Sequence, residues 1–107
     1  MSSLFVYGSL QPNGPNEHVL SKISGTWQKA TVTGHLVEAG WGAALGYPGV
    51  KLVENGEIIE GHVLTSVSLD TFWGELDTFE GEQYERVMTL CKLDTGERLA
   101  AFTYALR

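Results

Sequence analysis

The chain has 107 residues, of which 43% are hydrophobic, and its three Trp, four Tyr and four Phe supply one sizeable core and exclude general disorder. Thirteen acidic against seven basic residues leave a formal charge of −6, which repels phosphate backbones and anionic lipid and so argues against nucleic acid and membrane partners. Cys91 is the only cysteine, which excludes an intramolecular disulfide and a Cys-rich metal site.

These bounds predict one domain over residues 1–107 in a reducing, cytoplasmic setting. The start, Met1-Ser2-Ser3-Leu4-Phe5, has no basic region followed by a long apolar stretch. No run approaches the ~20 apolar residues needed to cross a bilayer, so a soluble, untargeted protein is expected.

In chain order, Leu4-Phe5-Val6-Tyr7 is a β-forming apolar run that Gly8 ends, which predicts a short buried strand entering a tight turn. Asn13, Gly14 and Pro15 break regularity, and Asn16 to Ile23 reads as a short helix with Val19, Leu20 and Ile23 on one face. Thr26 to Val37 is β-like, with Gly34 suggesting a bulge or bend. Gly40 to Gly49, which holds Trp41, Tyr47 and Pro48, reads as a shaped loop and not a linker.

Val50 to Val53 and Ile58 to Leu64 flank Glu54-Asn55-Gly56-Glu57, and Asn-Gly suits the positive φ angles of a type I′ turn, so a β-hairpin is predicted. A second hairpin is expected from Arg86 to Leu93 and Arg98 to Leu106 across Asp94-Thr95-Gly96-Glu97. The longest helix lies between them. Ser68 is its expected N-cap, Val67 and Phe72 match a hydrophobic staple, and Leu69, Phe72, Trp73, Leu76 and Phe79 form the buried stripe. Gly81 suits the C-terminal cap, which puts Glu80 at the carbonyl end. Hairpin-linked strands with one late helix predict an α+β domain in which an antiparallel-rich sheet curls into a small barrel.

Two places offer chemistry. A turn at Tyr7-Gly8-Ser9-Leu10 exposes backbone N–H groups to an anion, although an ordinary strand-to-loop turn is the better reading of those four residues alone. Glu80, between Phe79 and Gly81 at a helix C-terminus, meets a negative dipole and apolar neighbours, which raises a carboxyl pKa toward the range useful for proton transfer. A solvated helix-end glutamate is the alternative. Glu75, Asp77, Glu82 and Glu85 read as solvated surface without a catalytic role. His18, His35 and His62 have no zinc-ligand spacing, so no metal site is expected, and Cys91 reads as core.

Taken together, Phe5-Val6-Tyr7-Gly8-Ser9-Leu10, Tyr47-Pro48-Gly49, Glu60-Gly61-His62-Val63 and Leu76-Asp77-Thr78-Phe79-Glu80-Gly81-Glu82-Gln83-Tyr84-Glu85-Arg86 resemble the γ-glutamylcyclotransferase-like family, and its smallest members in length. The resemblance implies an α+β fold, a small mixed, mostly antiparallel β-barrel with flanking helices, whose pocket holds a γ-glutamyl group through the backbone of Tyr7, Gly8, Ser9 and Leu10. It implies Glu80 as the catalytic residue and Tyr84 as a lining residue, with Tyr104 read as a barrel-packing aromatic. The implied reaction cyclises the γ-glutamyl group of an amine or amino acid to 5-oxoproline and needs no cofactor. Gln11, Pro12-Asn13-Gly14 and His62-Val63-Leu64 depart from the pattern of relatives and bear on substrate preference. A non-catalytic module that binds or senses a small carboxylate, and another lyase or transferase on the same scaffold, remain the competing readings.

Overall fold

The computed structural model describes residues 2–8, 10–37 and 49–107. Ser9 and most of the shaped loop expected over Gly40 to Gly49 lie outside them. The elements are β1 (Ser2–Val6), α1 (His18–Ser21), β2 (Thr26–Val37), β3 (Gly49–Leu52), β4 (Glu57–Ser66), a 3-10 segment (Val67–Thr71), α2 (Trp73–Glu80), β5 (Tyr84–Leu93) and β6 (Arg98–Leu106).

The six strands pair in the order β1-β4-β2-β3-β6-β5, and β1 also pairs with β6 in parallel at Leu4 and Phe102. That contact closes a five-stranded ring, β1-β4-β2-β3-β6, into a mixed β-barrel. β5 is the extra strand, antiparallel to β6 along its length and touching β2 at Ala30 and Thr31. Antiparallel pairing dominates; β1 with β6 and β3 with β6 are the parallel exceptions. The α+β barrel expected from the strand pattern, with the flanking helices that the family resemblance implies, is the observed fold.

Alternation along the strands divides the core between the two faces of the sheet. Phe5, Val63, Ala30, Val50, Cys91 and Ala101 pack together with other strand residues to fill the barrel. Their neighbours Leu4, Val6 and Leu64 point the other way, where Leu20 and Ile23 at α1, Leu69 of the 3-10 segment and Leu76 of α2 cover them. The helices therefore sit on the outer face because the outward residues of β1 and β4 are themselves apolar.

Three local expectations change. The predicted Val50–Leu64 hairpin does not form: β3 and β4 lie on opposite edges of β2, where Gly34 faces Leu52 on one side and Glu57 on the other. The 53–56 turn therefore crosses the end of β2. Neither Asn55 nor Gly56 has a positive φ, and a Cβ on Gly56 would sit 2.6 Å from the Gly34 carbonyl oxygen. Gly34 makes no bulge, because the β2–β4 register runs unbroken from Thr26 to Gly34. A Cβ there would meet the Lys51 carbonyl oxygen at 2.5 Å, so close backbone approach explains the glycine.

The third change is at the late helix. Ser66, not Ser68, is the cap: its hydroxyl accepts the Ser68 N–H at 3.0 Å from an extended backbone. Val67 is 65% exposed and makes no staple, since it already lies in the 3-10 segment that precedes α2. The buried stripe holds, with Leu69 and Leu76 in the core and Phe72, Trp73 and Phe79 packed against it. Gly81 ends α2 at φ 82°, ψ −174°, a backbone that L side chains rarely adopt, and its N–H bonds the Asp77 carbonyl at 3.0 Å. The hairpin of β5 and β6 forms as expected, with Gly96 at φ 92° in its turn.

Candidate active site

β1 delivers Tyr7 and Gly8 to a series of tight turns. The Gly8 carbonyl accepts the Gln11 N–H at 3.1 Å, the Gln11 carbonyl accepts the Gly14 N–H at 2.8 Å, and Asn13 takes a positive φ of 68° between them. Leu10 is buried in the outer core cluster, which anchors the first turn. Ser9, expected in this turn, lies outside the described residues.

Tyr7 locks the turn to the barrel. Its hydroxyl donates to the Tyr104 carbonyl of β6 at 2.7 Å and accepts the Val50 N–H of β3 at 3.0 Å. Burial pushes that phenol well above its ordinary range; the Val50 N–H pulls it back, while the Glu80 charge and Tyr84 push it further up. Tyr7 is therefore a neutral hydrogen-bonding strut at any physiological pH.

Glu80 closes α2 and is 8% exposed. Burial pushes its carboxyl up from 4.5 to about 7, so near neutral pH it exists in both protonation states. Loss of water, one of the two effects expected from the sequence, is the cause of this shift. Tyr84 opens β5 and Tyr104 lies near the end of β6, and both are buried in the cluster that contains Leu10 and Leu76. The Glu80 charge is felt at both Tyr7 and Tyr104, which brings the carboxyl and the strand-end tyrosines into one neighbourhood.

Asp77 is exposed, as read from sequence, yet it borders this neighbourhood. Its Oδ1 accepts the Tyr104 hydroxyl at 2.6 Å and faces Arg86 Nε at 3.2 Å. Arg86 in turn stacks over the rings of Trp73 and Phe102, 4.6 and 5.2 Å from their centroids. The available signal was spacing: Asp77 precedes Glu80 by three residues, so both lie on one side of the last helical turn. Tyr104 is a packed aromatic as expected, but on the outer face of the sheet with Leu10 and Leu76 and not inside the barrel, and its hydroxyl also carries a bond.

Gln11 and His62, two departures singled out in the sequence, meet each other: His62 Nδ1 and Gln11 Oε1 are 2.9 Å apart. They flank a surface groove of about 740 Å³ that Lys29, Glu60 and Lys92 also line. Cys91 is fully buried, and burial pushes its thiol up to about 11, so it is an unreactive core residue. Among the described residues no cluster of His, Cys, Asp or Glu is arranged to hold a metal ion, and no helix is long and apolar enough to cross a membrane.

A family model described as "Gamma-glutamyl cyclotransferase, AIG2-like" matches residues 4–107. The chain belongs to this family. Among solved structures, this γ-glutamyl cyclotransferase, AIG2-like chain resembles YkqA from Bacillus subtilis (28% identity, TM-score 0.75, covering 99% of this chain and 36% of that one). It also resembles an Arabidopsis thaliana protein (27%, TM-score 0.74, covering 98% and 61%). A third likeness is to an AIG2-like protein from Mus musculus (23%, TM-score 0.73, covering 98% and 76%), which at this identity bears on the fold alone. The chain thus spans less than two thirds of the first two relatives. A comparison with curated proteins gives no significant match.

Proposed function

We propose that this family member is an enzyme that cyclises the γ-glutamyl group of a γ-glutamyl amine or amino acid to 5-oxoproline, releasing the amine. One observation carries the reading: Glu80 is buried, its carboxyl is pushed up to about 7, and its charge is felt at Tyr7, the residue that enters the turn after β1, in a chain of the γ-glutamyl cyclotransferase, AIG2-like family. A surface-exposed Glu80 at the ordinary carboxylate value would have been ionised throughout and a poor proton donor.

In the proposed reaction the backbone of Tyr7, Gly8, Ser9 and Leu10 holds the γ-glutamyl group, with Tyr84 against it. Ionised Glu80 takes a proton from the substrate's α-ammonium, freeing its nitrogen to attack the γ-carbonyl carbon. The new C–N bond closes the five-membered ring. As the old amide C–N bond breaks, Glu80 returns that proton to the departing nitrogen, and the ring nitrogen sheds its second proton, which the freed amine takes up to leave as an ammonium ion. Nucleophile and leaving group both belong to the substrate, so binding it bent supplies most of the acceleration, and the chemistry needs no cofactor. Backbone N–H groups of the turn steady the charge that develops on the carbonyl oxygen. The protein acts as one domain over 1–107, in solution in the cytoplasm.

The test is incubation of the purified protein with a panel of γ-glutamyl amines and γ-glutamyl amino acids, assayed for 5-oxoproline. Turnover of at least one compound is expected, and Glu80→Gln should lower kcat by about 10²–10⁴-fold, the usual contribution of a positioned acid–base group. Absence of product from every compound, while an authentic cyclotransferase responds in the same assay, overturns the reading. A binding module for small carboxylates would instead retain ligand in both forms without turnover.

A further inference from the structure

Two halves of the proposed site come from distant parts of the chain: the turn after β1 and the end of α2. Glu80 can serve a group held by that turn only if the two keep a fixed separation, because displacement of a catalytic group by about 1 Å can cost on the order of 100-fold in rate. α2 has eight residues and packs Trp73, Leu76 and Phe79 against the core. A directional hydrogen bond adds a fixed separation to that packing.

Tyr104 touches both halves. Its carbonyl accepts the Tyr7 hydroxyl at 2.7 Å, one residue before Gly8. Its own hydroxyl donates to Asp77 Oδ1 at 2.6 Å, one helical turn before Glu80. Asp77 is held from a second side by Arg86 Nε at 3.2 Å, and the Asp77 carbonyl accepts the Gly81 N–H that ends the helix. A continuous path thus runs from Val50 N–H through the Tyr7 hydroxyl and Tyr104 to Asp77 and the Glu80–Gly81 helix end.

We infer that Tyr104 and Asp77 are positioning residues for the proposed reaction: their hydrogen bond is the strut that sets the separation of Glu80 from the substrate-binding turn. The inference rests on the cyclotransferase reading for its kinetic consequence and on the bonds above for its structural one. In this inference the strut acts through the placement of Glu80 and not on the γ-glutamyl group itself. Cutting it leaves substrate binding at the turn intact while Glu80 loses its place, so kcat falls and KM does not.

Tyr104→Phe is the cleanest cut, since it keeps the packed ring and the carbonyl that holds Tyr7. It should lower kcat about 10- to 100-fold with KM within about twofold. Asp77→Ala should match it, and the double variant should be no worse than either single one, because both remove one link. Asp77→Asn retains an oxygen acceptor for the Tyr104 hydroxyl and should recover most of the rate. Cys91→Ala, in the barrel interior, supplies a comparably destabilised control with unchanged kcat. Gly81 amide hydrogen exchange gives a readout without turnover: it should quicken in Tyr104→Phe and Asp77→Ala but not in Cys91→Ala.

The inference is overturned if kcat of Tyr104→Phe stays within twofold of the parent, if the two losses multiply in the double variant, or if Gly81 exchange is unchanged. Failure of the parent protein to form 5-oxoproline counts against the cyclotransferase reading instead, and the exchange measurement then decides the strut by itself.

Discussion

Glu80 shows how one side chain can link the chemistry to the stability of the fold. Only its ionised form accepts the α-ammonium proton in the proposed reaction, so kcat/KM should rise with pH through about 7, where burial places this carboxyl. A pH–rate profile that rises near 4.5 instead would mean that Glu80 is solvated in solution. The same burial has a cost of opposite sense. The folded carboxyl titrates above its unfolded value of 4.5, so the unfolded chain binds fewer protons between 4.5 and about 7 and stability falls as pH rises across that window. At pH 8 ionised Glu80 costs the fold about 3 kcal/mol, taking about 1.4 kcal/mol for each pH unit of displacement. Glu80→Gln should therefore unfold at higher denaturant than the parent at pH 8, and the advantage should disappear below pH 4.5. The helix-end position of Glu80 and an apolar setting that raises its pKa were readable from the chain; the choice between that and a solvated glutamate was not, because the tyrosines that feel its charge, Tyr7 and Tyr104, come from the turn after β1 and from β6.

At the scale of elements, legibility followed the range of the contacts. The β5–β6 hairpin, the Thr26–Val37 strand and the apolar stripe of α2 were legible because turn residues and periodicity act between near neighbours. The apparent hairpin at Asn55-Gly56 was not, since the choice of β2 as partner for both β3 and β4 is made by distant residues. Glycines mark where backbones are pressed together by such pairings. A Cβ on Gly61 would run into the Val6 carbonyl and lie 2.6 Å from the Phe5 ring that fills the barrel at that point. Gly61→Ala should thus lower stability by about 1–3 kcal/mol, the usual cost of overpacking, measured by urea unfolding. Equal midpoints would show that β1 and β4 can separate without loss. The tie from α2 to the sheet was likewise hidden, because Asp77 spaced three before Glu80 looks like any surface acid until Tyr104 arrives from β6.

For the whole molecule, closure of the barrel joins the two ends of the chain. β1 meets β6 in parallel at Leu4 and Phe102, and the fully buried Thr103 hydroxyl donates to the Phe5 carbonyl at 2.9 Å. Thr103→Val keeps the shape and removes that donor, so it should cost about 1–2 kcal/mol in thermal or urea unfolding. Exchange of β1 amides should quicken more than that of the β5–β6 hairpin; equal acceleration of both would mean that closure and hairpin open as one unit. The chain by itself determined strand and helix placement, the two-faced alternation of the core, the candidate turn and Glu80, since each is written in residue type and local spacing. Only the tertiary structure decided that β2 separates β3 from β4, that Glu80 loses water, and that Tyr104 joins Asp77 to Tyr7. The reason is physical: burial, carboxyl pKa and cross-strand hydrogen bonds depend on atoms brought together from up to about a hundred residues apart, as Tyr7 and Tyr104 are.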